Sequence, residues 1–184
     1  MRKRVSKTEA IAAVTEIFRA YGYEGATLAR LSEATGLGRS SLYHHFPNGK
    51  EDMAREAIRY VSEVLSSEIG NVLDRDGTPQ EKISEVVVAI SAFYEGGANY
   101  CLSDVFGLAD AIAVVPDGAA SLLTELINAL AGLAEEAGHP RDLARRRAEA
   151  CVIDIQGSLV LSRALHDKGP FQRAMAGVPK KLLS

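Results

Sequence analysis

Apolar residues recur along this chain at intervals of three and four, and no stretch sustains the period-two alternation of a strand; the pattern predicts an all-α protein. Ser6-Lys7-Thr8-Glu9 has the form of a capping box, and the stripe Ile11, Val14, Ile17/Phe18, Tyr21 follows it at helical spacing until Gly22. A second, shorter helix is predicted from Thr27 as its cap through Leu28, Leu31 and Ala34 to Thr35-Gly36. A third runs from about Gly38 to His45 and closes at Phe46-Pro47, because proline disfavours helical geometry in the residue before it.

The fourth helix is long, from Asn48 or Gly49 to about Leu73, and ends in the turn composition Asp74-Arg75-Asp76-Gly77. Thr78-Pro79-Gln80-Glu81 combines a Thr cap, Pro at the first helical position and Glu at the third, the strongest helix start in the chain. That fifth helix carries Ile83, Val86/Val87, Ile90 and Phe93/Tyr94 and breaks at Gly96-Gly97. Three more are predicted over about 99–115, 118–137 and 141–167, and short pieces interrupted by Gly177 and Pro179 complete about nine helices.

Composition narrows the class. The 184 residues are long enough for a well-buried core, and 47% hydrophobic with 24% charged residues is ordinary for a globular chain. No segment approaches the roughly 18 apolar residues of a membrane span. The basic start, Met-Arg-Lys-Arg-Val-Ser-Lys, leads into an amphipathic segment rather than a signal peptide, so a cytoplasmic location and no membrane partner are expected. The net charge of −3 argues against a generally basic nucleic-acid binder, but its distribution is uneven. Residues 1–55 hold nine Lys/Arg against six Asp/Glu, whereas the remainder holds 12 against 18. A basic head on an acidic body is what a chain needs if only the head meets a polyanion.

That head contains "GLGRSSLYHHFP", residues 36–47. Two short helices joined by Gly36-Leu37-Gly38, with a capped first helix packed behind them, form a helix-turn-helix layout. Helical spacing turns Leu42, with Leu37 and Phe46, inward onto Leu28 and Leu31, leaving Arg39, Ser40, Tyr43 and His44 outward. Arg39 suits bidentate reading of a guanine edge, and the hydroxyls of Ser40 and Ser41 can serve bases or phosphates. Tyr43, His44, Thr27 at the start of the second helix, the backbone at Gly38, and Lys50 are placed to clamp phosphates. His45 is open between packing on the long helix and touching the DNA backbone.

The segment "TLARLSEATGLGRSSLYHHFPNGKEDM", residues 27–53, resembles the DNA-binding segment of the tetracycline-repressor (TetR) family of bacterial regulators. The resemblance rests on Thr27, Gly36-Leu37, Leu42-Tyr43-His44-His45-Phe46 and Lys50-Glu51 at fixed spacing, and Pro47-Asn48-Gly49-Lys50-Glu51 is similar to the subgroup with Gly-Lys-Glu there. It implies a three-helix DNA-binding head over residues 1–47 and a helical effector-binding and dimerisation body over 48–184. It also implies a homodimer on double-stranded operator DNA, a repressor more than an activator, released by a small-molecule effector. The competing class is a scaffold or small-molecule-binding helical protein that does not bind DNA.

Other constellations give less. His44 and His45 point about 100° apart on a helix, so they do not share a metal ion, and no metal or cofactor is expected. Cys101 and Cys151, the two cysteines, form neither a CxxC nor a recognisable nucleophile turn, and no enzyme activity is expected. Tyr60, Phe93, Tyr94, Tyr100, Phe106 and Gln156 are candidates to line an effector cavity, with Gly96-Gly97 a place of loose packing; plain core aromatics are the rival reading. Asp104, Asp110 and Asp154 are further polar residues in apolar helices, each needing a partner if buried. "ACVIDIQGSLVLSRAL", residues 150–165, is apolar or small nearly all round and is expected in a dimer bundle with Leu122, Leu126, Leu130 and Leu133; an intramolecular core is the alternative.

Overall fold

The computed structural model describes residues 5–99, 101–102 and 118–184, with no side-chain description at 118 and 119. Among the described residues eight helices and no strand are present: α1 Lys7–Gly25, α2 Leu28–Thr35, α3 Arg39–His45, α4 Lys50–Leu73, α5 Pro79–Phe93, α6 Gly118–Glu136, α7 Arg141–Leu165 and α8 Gly169–Leu183. The helix expected over 99–115 lies almost wholly outside them, as do Tyr100, Asp104, Phe106 and Asp110. The chain divides into two compact units, with one boundary inside α4 between Glu63 and Val64, another between Cys101 and Leu102, and a third inside α6 between Ala120 and Ser121.

In the first unit, Ser6 accepts from the Glu9 amide at 3.2 Å while the Glu9 carboxylate accepts from the Ser6 amide at 2.9 Å, so both ends of the box are closed. Gly22 breaks the helical path of α1 at φ 70°, ψ 175°. The apolar face of α1, at Ala10, Ile11, Val14 and Phe18, is buried with Leu31 of α2, Leu42 of α3 and Met53, Ala57 and Val61 of α4. α1 packs on α2, and α2 on α3.

In the second unit, Thr78 and Glu81 close the other capping box at 3.3 and 2.8 Å, with Pro79 in the first turn. α8 packs on α7 and α5. It is one continuous helix, not the short pieces expected from Gly177 and Pro179. Phe171, Met175, Val178 and Leu182 are all buried on one face of it. At about 1.5–3 kcal/mol for each such side chain, their burial outweighs the roughly 3 kcal/mol that an interior proline costs.

Two further expectations are corrected here. Leu122, Leu126, Leu130 and Leu133 are 0–2% exposed within a single chain, so this stripe is internal core rather than a broad face for a second copy. At the Gly96-Gly97 break, Gly97 is tightly packed rather than loose: it stands at φ 98°, and a Cβ there would lie 2.7 Å from Cβ of Phe171. A glycine is needed both for that backbone conformation and for the close approach of the Phe171 side chain.

Candidate nucleic-acid interface

The turn between α2 and α3 is built by side chains of α2. Gly36 takes the left-handed conformation at φ 66°. The Thr35 hydroxyl donates to the Leu31 carbonyl at 2.7 Å and accepts from the Leu37 amide at 3.3 Å, and the Ser32 hydroxyl donates to the Leu37 carbonyl. Short polar side chains thus fix the angle at which α3 leaves α2.

Leu42 and Phe46 anchor α3 from behind at 1% and 0% exposure. Gly38, Arg39, Ser40, Ser41, Tyr43 and His44 are all exposed, and no carboxylate lies on α3. Tyr43 has a defined seat: Gly49, at φ 63°, lets the ring approach so closely that a Cβ there would be 3.3 Å from Cε1. His45 is half-buried, its ring 6.3 Å from that of Phe46 and 5.7 Å from that of His44. It borders a surface crevice with Lys7, Pro47, Arg55 and Arg59.

Thr27 is exposed at the start of α2, where its hydroxyl accepts from the Arg30 amide at 3.4 Å. The Arg30 guanidinium lies 4.3 Å from the centre of the Tyr21 ring and donates to the Gly25 carbonyl at 2.8 Å, tying the α1–α2 connection together.

Lys50 differs from the other expected contact residues. It is half-buried, and its ammonium donates to the Tyr23 carbonyl at 3.0 Å, lies 4.2 Å from the Tyr23 ring centre and stands 3.8 Å from a Glu24 carboxylate oxygen. The first turn of α4 is thereby tied to the tail of α1. Burial pushes the Tyr23 phenol up, with Glu51 and Glu24 adding to the effect. Beside it, Asp52 accepts from the Asn48 amide at 2.8 Å and from the Asn48 side chain at 3.1 Å. Those bonds hold the Asp52 carboxyl below its ordinary range, and those from Lys7 and Arg59 do the same for Glu56. Reasoning from the sequence did not single out Tyr23 or Asp52; the spacing of Asn48 and Asp52 across the start of α4 was the available signal.

The expected cavity residues are only partly brought together. Tyr94 is buried, its ring 4.9 Å from that of Phe93 and 6.0 Å from that of Phe171, and its hydroxyl is 3.4 Å from Sγ of Cys101. Tyr60 is half-buried on α4. Both polar atoms of the Gln156 amide are buried with no hydrogen-bond partner among the described residues. Asp154 is exposed and pairs with Lys181. Among the described residues, no three His, Cys, Asp or Glu side chains gather as a metal site, and no helix is long and apolar enough to cross a membrane.

A short helix anchored by two apolar residues, presenting an acid-free polar face and followed by a helical body, defines a helix-turn-helix protein. Residues 10–57 match the family model described as "Bacterial regulatory proteins, tetR family". The chain is 30% identical over 103 residues to the HTH-type transcriptional regulator LmrA of Bacillus subtilis (strain 168), a match covering 56% of this chain and about half of that one (52%). It is 23% identical over 178 residues to the uncharacterized HTH-type transcriptional regulator YxaF of the same organism, covering 95% and 93% of the two chains. The crystal structure of a TetR transcriptional regulator from Legionella pneumophila shares the fold with a TM-score of 0.85 over 98% of both chains, at 19% identity. The fold is therefore TetR-like, and the family match is confined to the head, residues 10–57.

Proposed function

We propose that this protein is a ligand-responsive transcriptional repressor of the cytoplasm that binds pseudo-palindromic operator DNA as a homodimer. The observation that carries the reading is the division of α3 into buried anchors, Leu42 and Phe46, and an exposed face of Arg39, Ser40, Ser41, Tyr43 and His44. On that face Arg39 and Ser40 read base edges in the major groove, while Ser41, Tyr43, His44, Thr27 and the backbone at Gly38 hold phosphates. Lys50 reaches a phosphate only from the end of its tether to Tyr23. The head takes residues 1–47 and the regulatory body residues 48–184. The likeness of the stretch Tyr43–Glu51 to the Gly-Lys-Glu subgroup supports assigning the chain there.

One short recognition helix reads few bases, so two copies with heads about 34–36 Å apart are needed for a specific site. The surface proposed to join them is on α7, where Ile153, Val160, Leu161 and Leu165 are 53–70% exposed and fall on one helical face. The effector is proposed to lie beside Phe93, Tyr94 and Gln156 of the second unit, the Gln156 amide, which has no hydrogen-bond partner among the described residues, supplying its polar contact. Its leverage on DNA equals its differential affinity for two head spacings, typically about 1–3 kcal/mol.

Selection of bound duplexes from a random pool, followed by retardation over a salt series, tests the reading. A palindromic consensus with steep salt dependence is expected. A chain that retards no duplex at low salt belongs to the rival class of scaffold or small-molecule-binding proteins. Light scattering of Leu161→Glu tests the dimer surface, with dissociation to single chains expected.

A further inference from the structure

We propose that the cleft between α4 and α6 binds a small amphiphilic cation. The cleft lies wholly in the second unit and has a volume of about 380 Å³. Leu65, Ile69 and Leu73 of α4 face Leu122 and Leu126 of α6 across it, giving it an apolar floor. Leu65 to Leu73 spans about 12 Å of helix, room for an alkyl chain or a pair of rings. None of these residues belongs to the aromatic group discussed above.

Two features point to the chemistry of the occupant. The first is Gly70, in the interior of α4, where glycine is a poor helix former. A Cβ at this position would meet nothing within 4 Å, so no neighbour in the fold calls for glycine; its effect is to leave the cleft open along α4. The second is Glu125 at the rim. Its carboxylate accepts from the hydroxyl of Ser66 on α4 and, at 3.2 Å, from that of Ser121 on α6. Among the described residues those hydroxyls are its hydrogen-bond donors, and no cation pairs with it. Two neutral donors hold the carboxylate at the exposed rim of the cleft, where a cation can reach it. An apolar body ending in an ammonium or amidinium group satisfies both features: the body fills the space beside Gly70 and the cation meets Glu125.

Titration calorimetry of the full chain with n-octylamine, 1-octanol and octanoate at neutral pH tests the proposal, and it reads the protein alone, independently of DNA recognition. One octylamine per chain is expected, bound about fivefold more tightly than octanol, a margin fitting a partly exposed ion pair. Octanoate should bind more weakly than either. Glu125→Gln should bring octylamine to within about twofold of octanol. Gly70→Leu places a side chain in the open space and should weaken octylamine by at least about tenfold, with the melting point of the unliganded chain preserved. Equal affinity of the wild type for amine and alcohol would overturn the cation assignment. Undiminished octylamine binding by Gly70→Leu would overturn the cleft as its location.

Discussion

The Lys50 ammonium is held by a single residue in two ways, donating to the Tyr23 carbonyl at 3.0 Å while lying 4.2 Å from the centre of the Tyr23 ring. Tyr23 in turn stacks on Phe18, its ring centre 6.0 Å away and 10° from parallel, so the contact connects the first turn of α4 with the buried face of α1. Lys50→Ala is expected to destabilise the chain by about 1–2 kcal/mol through loss of this charge-assisted bond and cation–π contact. DNA binding should weaken to about the same extent on every sequence, with a flatter salt dependence. Denaturant unfolding and retardation on specific and random duplexes measure the two effects.

Arg39 is exposed and has no structural duty in the fold, so Arg39→Ala should leave thermal stability unchanged. Discrimination at one base pair of the selected site should fall by about 1–3 kcal/mol. Competition between consensus and single-mismatch duplexes checks this, and equal discrimination by wild type and variant would remove Arg39 from the reading face.

Gly97→Ala combines a disallowed backbone conformation with a Cβ placed 2.7 Å from Phe171. A loss on the order of 3 kcal/mol is expected, from backbone strain and overpacking together. Gly96→Ala shares the left-handed backbone, at φ 65°, but meets no neighbour within 4 Å, so it should cost less. Urea midpoints of the pair separate the two contributions.

The Asp52 and Glu56 carboxyls are both held below their ordinary range, by the Asn48 bonds and by the Lys7 and Arg59 bonds respectively. A carboxyl whose folded value is depressed contributes stability that is complete above its unfolded value and is lost as pH falls through the folded one. Stability should therefore decline below about pH 4, and Asp52→Asn should flatten that decline while lowering stability at neutral pH. Melting curves at stepped pH measure it.

Burial pushes the Cys151 thiol up to about 11, and the residue is 0% exposed. A thiol in that state is neither nucleophilic nor readily oxidised at neutral pH. Mass spectrometry after iodoacetamide treatment should find Cys151 unmodified in the folded chain and alkylated after denaturation. Alkylation at the same rate in both states would contradict the burial.

The head was legible in the sequence because its instructions are local. Ser6 with Glu9, Thr27, and Gly36 at the turn each act on groups within a few residues, and the structure uses each as expected. The exposure of Arg39, Ser40, Tyr43 and His44 followed from helical spacing alone. The body was less legible because its choices are settled between helices distant in sequence. Pro179 reads as a helix break until Phe171, Met175, Val178 and Leu182 are seen buried together. The leucines of α6 and the aliphatic residues of α7 carry the same periodic signal, yet Leu126 is buried and Leu161 is 53% exposed. Periodicity identifies an apolar face but does not name what covers it. The tie between Lys50 and Tyr23 spans 27 positions and left no mark in either segment taken alone.

Leu42 and Phe46 hold α3 by one side and Tyr43 is seated against Gly49, while the exposed Arg39, Ser40, Ser41 and His44 carry little of the load of folding. Substitutions at 39, 40, 41 and 44 are thus free of the usual penalty for changing a small domain. On the proposed reading, over generations such a head can drift from one operator to another through folded intermediates, and a duplicated gene needs only a handful of surface changes to acquire targets of its own.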